Sequence, residues 1–235
     1  MIKQLSFVRR SAGVAPDEFG RRWLEETRAT VATMPADARP QRLAHCVVRH
    51  GRQPLDHDGV AISWHHDDAA PAVHDTWLAE RPASTAIDVA ATTVVRVEER
   101  AVFGAAWLEE RWHRPETTPQ LVLIGLIEAA GGITRADFRD YWWSTHRPLA
   151  NRLVPTALEP VAYIHDYLLP GEPTQWAGIG EMYEASLDVA RQRGAWFQSD
   201  AASALIADED RFLVRSTRQL LITDQYVIIN EGEIV

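Results

Sequence analysis

Residues 133–149 read ITRADFRDYWWSTHRPL and place several aromatic side chains and one histidine on a single predicted helix. Trp142 and His146 are four residues apart, and Phe138, Leu149 and Leu153 recur near whole helical turns. This spacing is typical of an amphipathic helix that packs one face against a core. The pattern therefore places His146 on or beside the buried face.

A histidine in that position supports two interpretations. An imidazole can exchange a proton near neutral pH, and an aromatic wall around it would exclude water and hold a flat apolar substrate. In the alternative, His146 bonds to the backbone at the helix end and has no chemical role. The spacing alone leaves both interpretations open.

The motif resembles the signature helix of the EthD family. The resemblance rests on Phe138, Tyr141-Trp142, His146 and Pro148-Leu149 at their observed spacing. It implies a ferredoxin-like fold and association as dimeric α+β barrels. The wider superfamily of dimeric α+β barrel proteins contains polyketide cyclases, decarboxylases, dehydratases and cofactor-free oxygenases. The resemblance alone therefore does not select a reaction.

Composition limits the classes of partner. The 235 residues are 46% hydrophobic, which is enough for one large core or two small ones. The net charge of −9 and the absence of a Lys/Arg block argue against nucleic acid and against an anionic membrane surface. No run approaches the length of a membrane span, so we expect a cytoplasmic protein. The single cysteine, Cys46, cannot form an intrachain disulfide and is predicted to be a buried thiol.

The chain resembles itself at an offset of 119 residues. Several apolar landmarks align at that offset: Phe19 with Phe138, Trp23 with Trp142, Gly59 with Gly178, Trp64 with Tyr183, and Trp77 with Trp196. One fixed offset that links so many landmarks indicates duplication. Each copy also has the order β-α-β-β-α-β, which is the order of a ferredoxin-like unit.

The predicted strands are Lys3–Arg10, Arg42–His50, Gly59–His65 and Thr92–Phe103, then Gln120–Ala129, Pro160–Leu169, Ala177–Tyr183 and Thr217–Ile229. The predicted helices are Pro16–Met34, Ala69–Glu80, Thr134–Leu153 and Ser186–Gln198, with a short helical piece at Ser199–Ala207. The domains are repeat 1 (1–104), whose motif is degenerate, a linker helix (105–118), and repeat 2 (119–235), whose motif is intact. The predicted fold class is α+β, with two ferredoxin-like repeats packed sheet to sheet as an intramolecular dimeric α+β barrel. A further homodimer is possible.

Repeat 2 is the better candidate for a working site, because His146 aligns with Thr27 of repeat 1. In its second strand Tyr163, His165 and Tyr167 alternate onto one face. If that face lines a cavity near the helix, His146, Tyr163 and His165 are the catalytic candidates; if it faces solvent, the two strand residues are ordinary surface groups. The predicted substrate-binding residues are Phe138, Tyr141, Trp142 and Tyr183. Glu181 either orients a histidine or is a solvated strand residue.

A metal site is not predicted. His65-His66 and Asp67-Asp68 suggest a facial triad, but adjacent strand residues point to opposite faces, so a polar turn at the start of a helix is the better interpretation. No glycine-rich phosphate loop is present either, and we predict no cofactor. Haem binding through a histidine is considered only because some members of the wider superfamily bind haem in this way.

The resulting hypothesis is a cofactor-independent, lyase-like enzyme. His146 would act as a general acid/base on a hydrophobic aromatic or polyketide-like substrate, in a cyclisation, dehydration or decarboxylation, while Tyr163 or His165 polarises an oxygen. The first alternative is a non-catalytic carrier for an apolar ligand. The second is a haem-dependent enzyme with an axial histidine.

Overall fold

The computed structural model describes residues 1–49, 56–67, 69–113 and 119–235. Its strands are β1 (Ile2–Arg10), β2 (Arg42–Val48), β3 (Gly59–His65), β4 (Ile87–Phe103), β5 (Gln120–Glu128), β6 (Ala162–Leu168), β7 (Trp176–Tyr183), β8 (Gln219–Asn230) and β9 (Glu233–Ile234). Its α-helices are α1 (Pro16–Ala32), α2 (Ala70–Ala79), α3 (Ala105–His113), α4 (Arg135–Tyr141), α5 (Arg147–Leu153), α6 (Leu187–Phe197) and α7 (Ser203–Glu209). A π-helix, Trp142–His146, separates α4 from α5.

The predicted fold class is wrong. The described strands pair into one nine-stranded sheet in the order β2-β3-β1-β4-β6-β7-β5-β8-β9, and β2 also pairs with β8. Two ferredoxin-like repeats packed sheet to sheet would instead give two separate sheets that cover each other face to face. The described strands are instead joined edge to edge by backbone hydrogen bonds within one sheet.

The length of two strands explains the difference. β4 has 17 residues and β8 has 12, whereas an average strand has about 5–6. Strands of this length can pair with different neighbours along different parts of their course, and the unpaired backbone groups at a sheet edge favour such pairing. Hydrophobic alternation predicts which side chains share a face, but it carries no information on which edges join.

Contacts divide the described chain into two compact units. Unit 1 comprises Met1–Val97, Arg111–Gln120 and Ile222–Val235, and unit 2 comprises Glu98–Glu110 and Leu121–Leu221. The boundaries therefore fall inside β4, α3 and β8, and after the first residue of β5.

In unit 1, β3 pairs antiparallel with both β1 and β2, while β1 also pairs with β4 and β2 with β8. One apolar cluster joins α1 and α2 to this sheet and contains Leu24, Val31, Met34, Ala38, Leu43, Trp77, Ile228 and Ile229. Cys46 is a buried free thiol, as predicted. His50, the predicted end of β2, lies outside the described residues.

In unit 2, β7 lies between β5 and β6 and pairs antiparallel with both. The apolar cluster beneath the helices contains Ile127, Phe138, Trp142, Tyr167, Ala177, Phe212 and Leu213. Gly178 permits this packing, because a Cβ atom there would lie 2.6 Å from Cζ3 of Trp142. The missing side chain lets the helix approach the sheet closely.

None of the described helices combines the length and the apolar character that crossing a membrane would require.

Candidate functional site

The motif helix is interrupted where the histidine lies. Thr134 caps the start of α4 by accepting a hydrogen bond from the backbone N–H of Asp137. The chain then widens, and the N–H of Arg147 donates to the carbonyl of Trp142, five residues earlier. Pro148 follows and has no N–H to donate, so the regular ladder cannot continue through it. Such π-bulges are frequent at functional sites, and this one ends at His146.

His146 is held by a carboxylate from another helix. Its Nδ1 lies 2.9 Å from Oδ2 of Asp208, which belongs to α7, and the two side chains are 11% and 7% exposed. Tyr141 donates its hydroxyl to the other oxygen, Oδ1, at 2.7 Å. No described residue hydrogen-bonds to Nε2 of His146. Asp208 thus fixes one ring nitrogen and leaves the other for a ligand.

Aromatic packing supports this histidine–aspartate pair. The ring of Phe212 lies 5.0 Å from the ring of His146 and 5.1 Å from that of Tyr141, measured between centroids. Burial, followed by the hydrogen bond to Asp208, raises the pKa of the Tyr141 hydroxyl. Tyr141 therefore stays protonated and keeps its donor role.

His165 forms a second polar centre in unit 2. Its ring stacks on Trp142 with centroids 3.6 Å apart and planes inclined by 16°. Nδ1 lies 3.0 Å from the hydroxyl of Tyr167, whereas the buried Nε2 has no partner among the described residues. Burial, followed by the neighbouring side chains of His146 and Arg147, lowers the pKa of His165 well below its usual value. His165 is therefore neutral at physiological pH.

The structure brings some predicted residues together and separates others. Tyr163 meets His165 edge to face with centroids 4.8 Å apart, and burial raises the pKa of its hydroxyl. Tyr183 instead donates to Oε2 of Glu181 at 3.1 Å. Because Glu181 pairs in register with Ile164 while Gly180 pairs with His165, Glu181 and Tyr183 lie on the other face of the sheet.

The predicted substrate residues of the motif helix occupy different positions. Phe138 and Trp142 are 0% and 1% exposed, so both belong to the core beneath the helix. Tyr141 lies beside the histidine–aspartate pair. The partly buried Trp143, which the sequence analysis did not select, lies edge-on to His165 with centroids 6.3 Å apart.

A group of arginines surrounds Trp143 and Tyr167. The guanidinium carbons of Arg147 and Arg100 lie 4.1 Å and 5.4 Å from the ring centroid of Trp143. The guanidinium of Arg139 lies 5.1 Å from the ring centroid of Tyr167. This corner of unit 2 is therefore positively charged, although the chain as a whole carries −9.

The histidines of unit 1 are arranged differently. Nε2 of His65 lies 2.9 Å from the hydroxyl of Ser63, and Nδ1 of His74 donates to the carbonyl of Ala38 at 3.0 Å. His66 is exposed and pairs with Asp67, whose carboxylate accepts the backbone N–H groups at the start of α2. Asp68 lies outside the described residues. Among the residues that are described, no three His, Cys, Asp or Glu side chains converge as a metal site would require.

Sequence reasoning missed Asp208. It follows His146 by 62 residues, at the end of a short helix and within no motif. Glu181, considered for the same role, is the carboxylate that shares a predicted strand with Tyr183. Only the fold brings α7 against the π-helix.

The fold resembles those of two solved structures. An anthrone oxidase-like protein matches with a TM-score of 0.61 and 9% identity over 100% of this chain and 94% of that chain. A "putative monooxygenase" from Lactobacillus acidophilus NCFM matches with a TM-score of 0.54 and 8% identity over 100% and 98%. At such low identity the likenesses concern the fold alone.

The family model for the EthD domain matches residues 130–216. This segment contains the motif helix, β6, β7 and Asp208. The predicted resemblance is therefore confirmed for this part of the chain. A comparison with curated proteins finds no match.

Proposed function

We propose that this chain is a cofactor-independent enzyme in which His146 moves a proton on a hydrophobic aromatic or polyketide-like substrate. The observation that carries the proposal is the 2.9 Å hydrogen bond between Nδ1 of His146 and the buried Asp208. A histidine that only anchors the helix end would bond to the backbone. His146 is oriented by a carboxylate instead, as in many general acid–base pairs.

Asp208 has two effects on the imidazole. By accepting the Nδ1 proton it selects the tautomer in which Nε2 carries a lone pair and acts as the base. When Nε2 takes up a proton, the carboxylate stabilises the imidazolium that forms. Tyr141 holds the other carboxylate oxygen and prevents Asp208 from rotating away.

His165 supplies the complementary group. In the proposed arrangement the Tyr167 hydroxyl donates to Nδ1, and the single ring proton resides on Nε2. A neutral N–H donor stabilises the negative charge that develops on a carbonyl or phenolic oxygen when a neighbouring proton leaves. Burial raises the pKa of Tyr167 to about 12, so its hydroxyl remains a donor.

All the proposed reactions would use His146 as the proton-transferring group and His165 as the hydrogen-bond donor. Cyclisation, dehydration and decarboxylation of polyketide-like compounds each move a proton next to a carbonyl or phenolic oxygen. The fold likeness to an anthrone oxidase-like protein supports a substrate of fused aromatic rings. Proton transfer by His146 is the step common to all of them.

Proton abstraction can be tested before the natural substrate is known. The probe is 2-tetralone, a ketone whose ring is fused to a benzene ring, in D₂O, and proton NMR follows the loss of its α-proton signals. We expect catalysed exchange with the unaltered protein and a loss of at least about 100-fold in His146→Gln, as general acid–base catalysis typically contributes 10²–10⁴-fold. Asp208→Asn should also slow exchange, because an amide can donate to Nδ1 and select the wrong tautomer.

His66→Gln provides the matched control, because it removes an exposed histidine that pairs with Asp67 in unit 1. Exchange at the same rate in His146→Gln and in the unaltered protein would refute the assignment. Binding of the ketone without exchange would favour the carrier hypothesis. The haem-dependent alternative is tested by titrating haem and following its absorption spectrum.

A further inference from the structure

The positive corner of unit 2 has more guanidinium groups than carboxylates to pair with them. Glu98 pairs with Arg100 at 3.0 Å and with Arg139 at 2.7 Å. Among the described residues no carboxylate pairs with Arg147. Three positive charges are therefore balanced by one negative charge, in a protein whose acidic residues outnumber its lysines and arginines by 33 to 24.

Arg147 is fixed in place while its binding edge stays available. Nε donates to the carbonyl of Trp143 at 3.1 Å, and the guanidinium lies over the indole ring of the same residue. Its terminal nitrogens form no hydrogen bond to any described residue. A planar guanidinium held by one nitrogen and by a ring retains donors that match the two oxygens of a carboxylate.

Arg147 is also next to the proposed reacting groups. It follows His146 directly in the chain, and its charge acts on the buried His165. Nε2 of His165, in a residue that is 1% exposed, has no hydrogen-bond partner among the described residues. Buried polar atoms without a partner are uncommon, and a ligand oxygen is one group that can satisfy them.

We propose that this site selects substrates carrying a carboxylate beside the aromatic ring, with Arg147 as the main anion-binding residue and Arg100 as a supporting one. The inference rests on the proposed function, since it names the substrate class of the same site. The carboxylate would bind to the terminal nitrogens of Arg147. The adjoining part of the substrate would then lie toward His146 and His165.

The test compares two ligands of nearly the same shape, one with a carboxylate and the other with a neutral amide. Isothermal titration calorimetry would measure the Kd of 2-naphthoate and of its neutral amide, 2-naphthamide. We expect the unaltered protein to bind the carboxylate at least about 10-fold more tightly, as charge-assisted bidentate pairs are stronger than neutral ones. Arg147→Gln should bring the two Kd values together. Arg147→Lys should keep part of the difference, because the lysine retains the positive charge but lacks the planar guanidinium that binds both carboxylate oxygens.

Arg152→Gln is the matched control, because Arg152 is exposed on the same helix and the substitution removes the same charge. It should keep the preference of the unaltered protein. Equal affinity for the two ligands, binding of neither, or an unchanged preference in Arg147→Gln would overturn the proposal. None of these results affects the exchange experiment, whose ketone probe is neutral, so the two proposals can fail separately.

Discussion

His45 of unit 1 allows a direct test of how strongly the fold holds a histidine neutral. It is 3% exposed and stacks on Trp23 with centroids 3.8 Å apart, and its Nδ1 has no hydrogen-bond partner among the described residues. Burial, followed by the charge of Arg28, lowers its pKa from 6.5 to about 3. The substitution His45→Phe keeps a flat ring against Trp23 and removes the titrating group.

The sign and size of the effect follow from proton binding. Below pH 6.5 the unfolded chain protonates His45, whereas the folded protein does so only near pH 3. Between these values the unfolded state binds more protons, so stability falls as the pH falls. At about pH 5, which is roughly 1.5 pH units below the unfolded pKa, the loss is about 2 kcal/mol.

The assay is urea unfolding at about pH 7.5 and about pH 5, followed by tryptophan fluorescence. The unaltered protein should lose about 2 kcal/mol more than His45→Phe on going to the lower pH. Other buried histidines contribute equally to both proteins and cancel in this comparison. His66→Gln, which removes an exposed histidine, should keep the full loss. Equal losses in the unaltered protein and in His45→Phe would show that the fold does not hold His45 neutral.

Three further substitutions test the packing and one buried ion pair of unit 2. In Gly178→Ala the new Cβ would meet Trp142 at 2.6 Å, so thermal or urea unfolding should show a loss of about 1–3 kcal/mol; Gly194→Ala in α6 meets nothing within 4 Å and should instead stabilise by about 0.4–1 kcal/mol. A similar loss in both variants would contradict the close approach of Trp142. Arg193→Met should cost about 3–5 kcal/mol in the same assay, because the carboxylate of Glu184, whose side chain is 0% exposed, would lose its ion pair with Arg193. A change below about 1 kcal/mol would show that Glu184 does not depend on this pair.

The sequence predicted one half of the histidine–aspartate pair. His146 could be found because it shares a helix with the motif residues, and helical spacing is a local property of the chain. Asp208 could not, because the contact depends on how α7 packs against the π-helix, 62 residues away. The π-helix was also not predicted, since the stripe from Phe138 to Leu153 is compatible with an uninterrupted α-helix.

The sheet likewise shows that the sequence predicts local features but not contacts between distant segments. Alternation correctly placed Tyr163, His165 and Tyr167 on one face of β6, and the ring contacts show that this face packs against Trp142. It could not reveal that β4 begins at Ile87, five residues before its predicted start, or that β2 and β8 pair. Edge pairing uses backbone groups, which are alike at every position and leave no pattern in the sequence.

The two units share one feature and differ in another, and the difference bears on where the chemistry occurs. In each unit a histidine on the second strand stacks on a helix tryptophan and has a buried nitrogen without a described partner. A neutral, stacked imidazole is therefore common to both, and it alone does not define the site. The predicted offset of 119 residues aligns His146 with Thr27 of unit 1, and a threonine hydroxyl cannot act as a proton acceptor near neutral pH. A stacked, neutral imidazole provides at most a hydrogen-bond donor and cannot replace a base. The proposed proton transfer therefore requires unit 2, where His146 is hydrogen-bonded to Asp208.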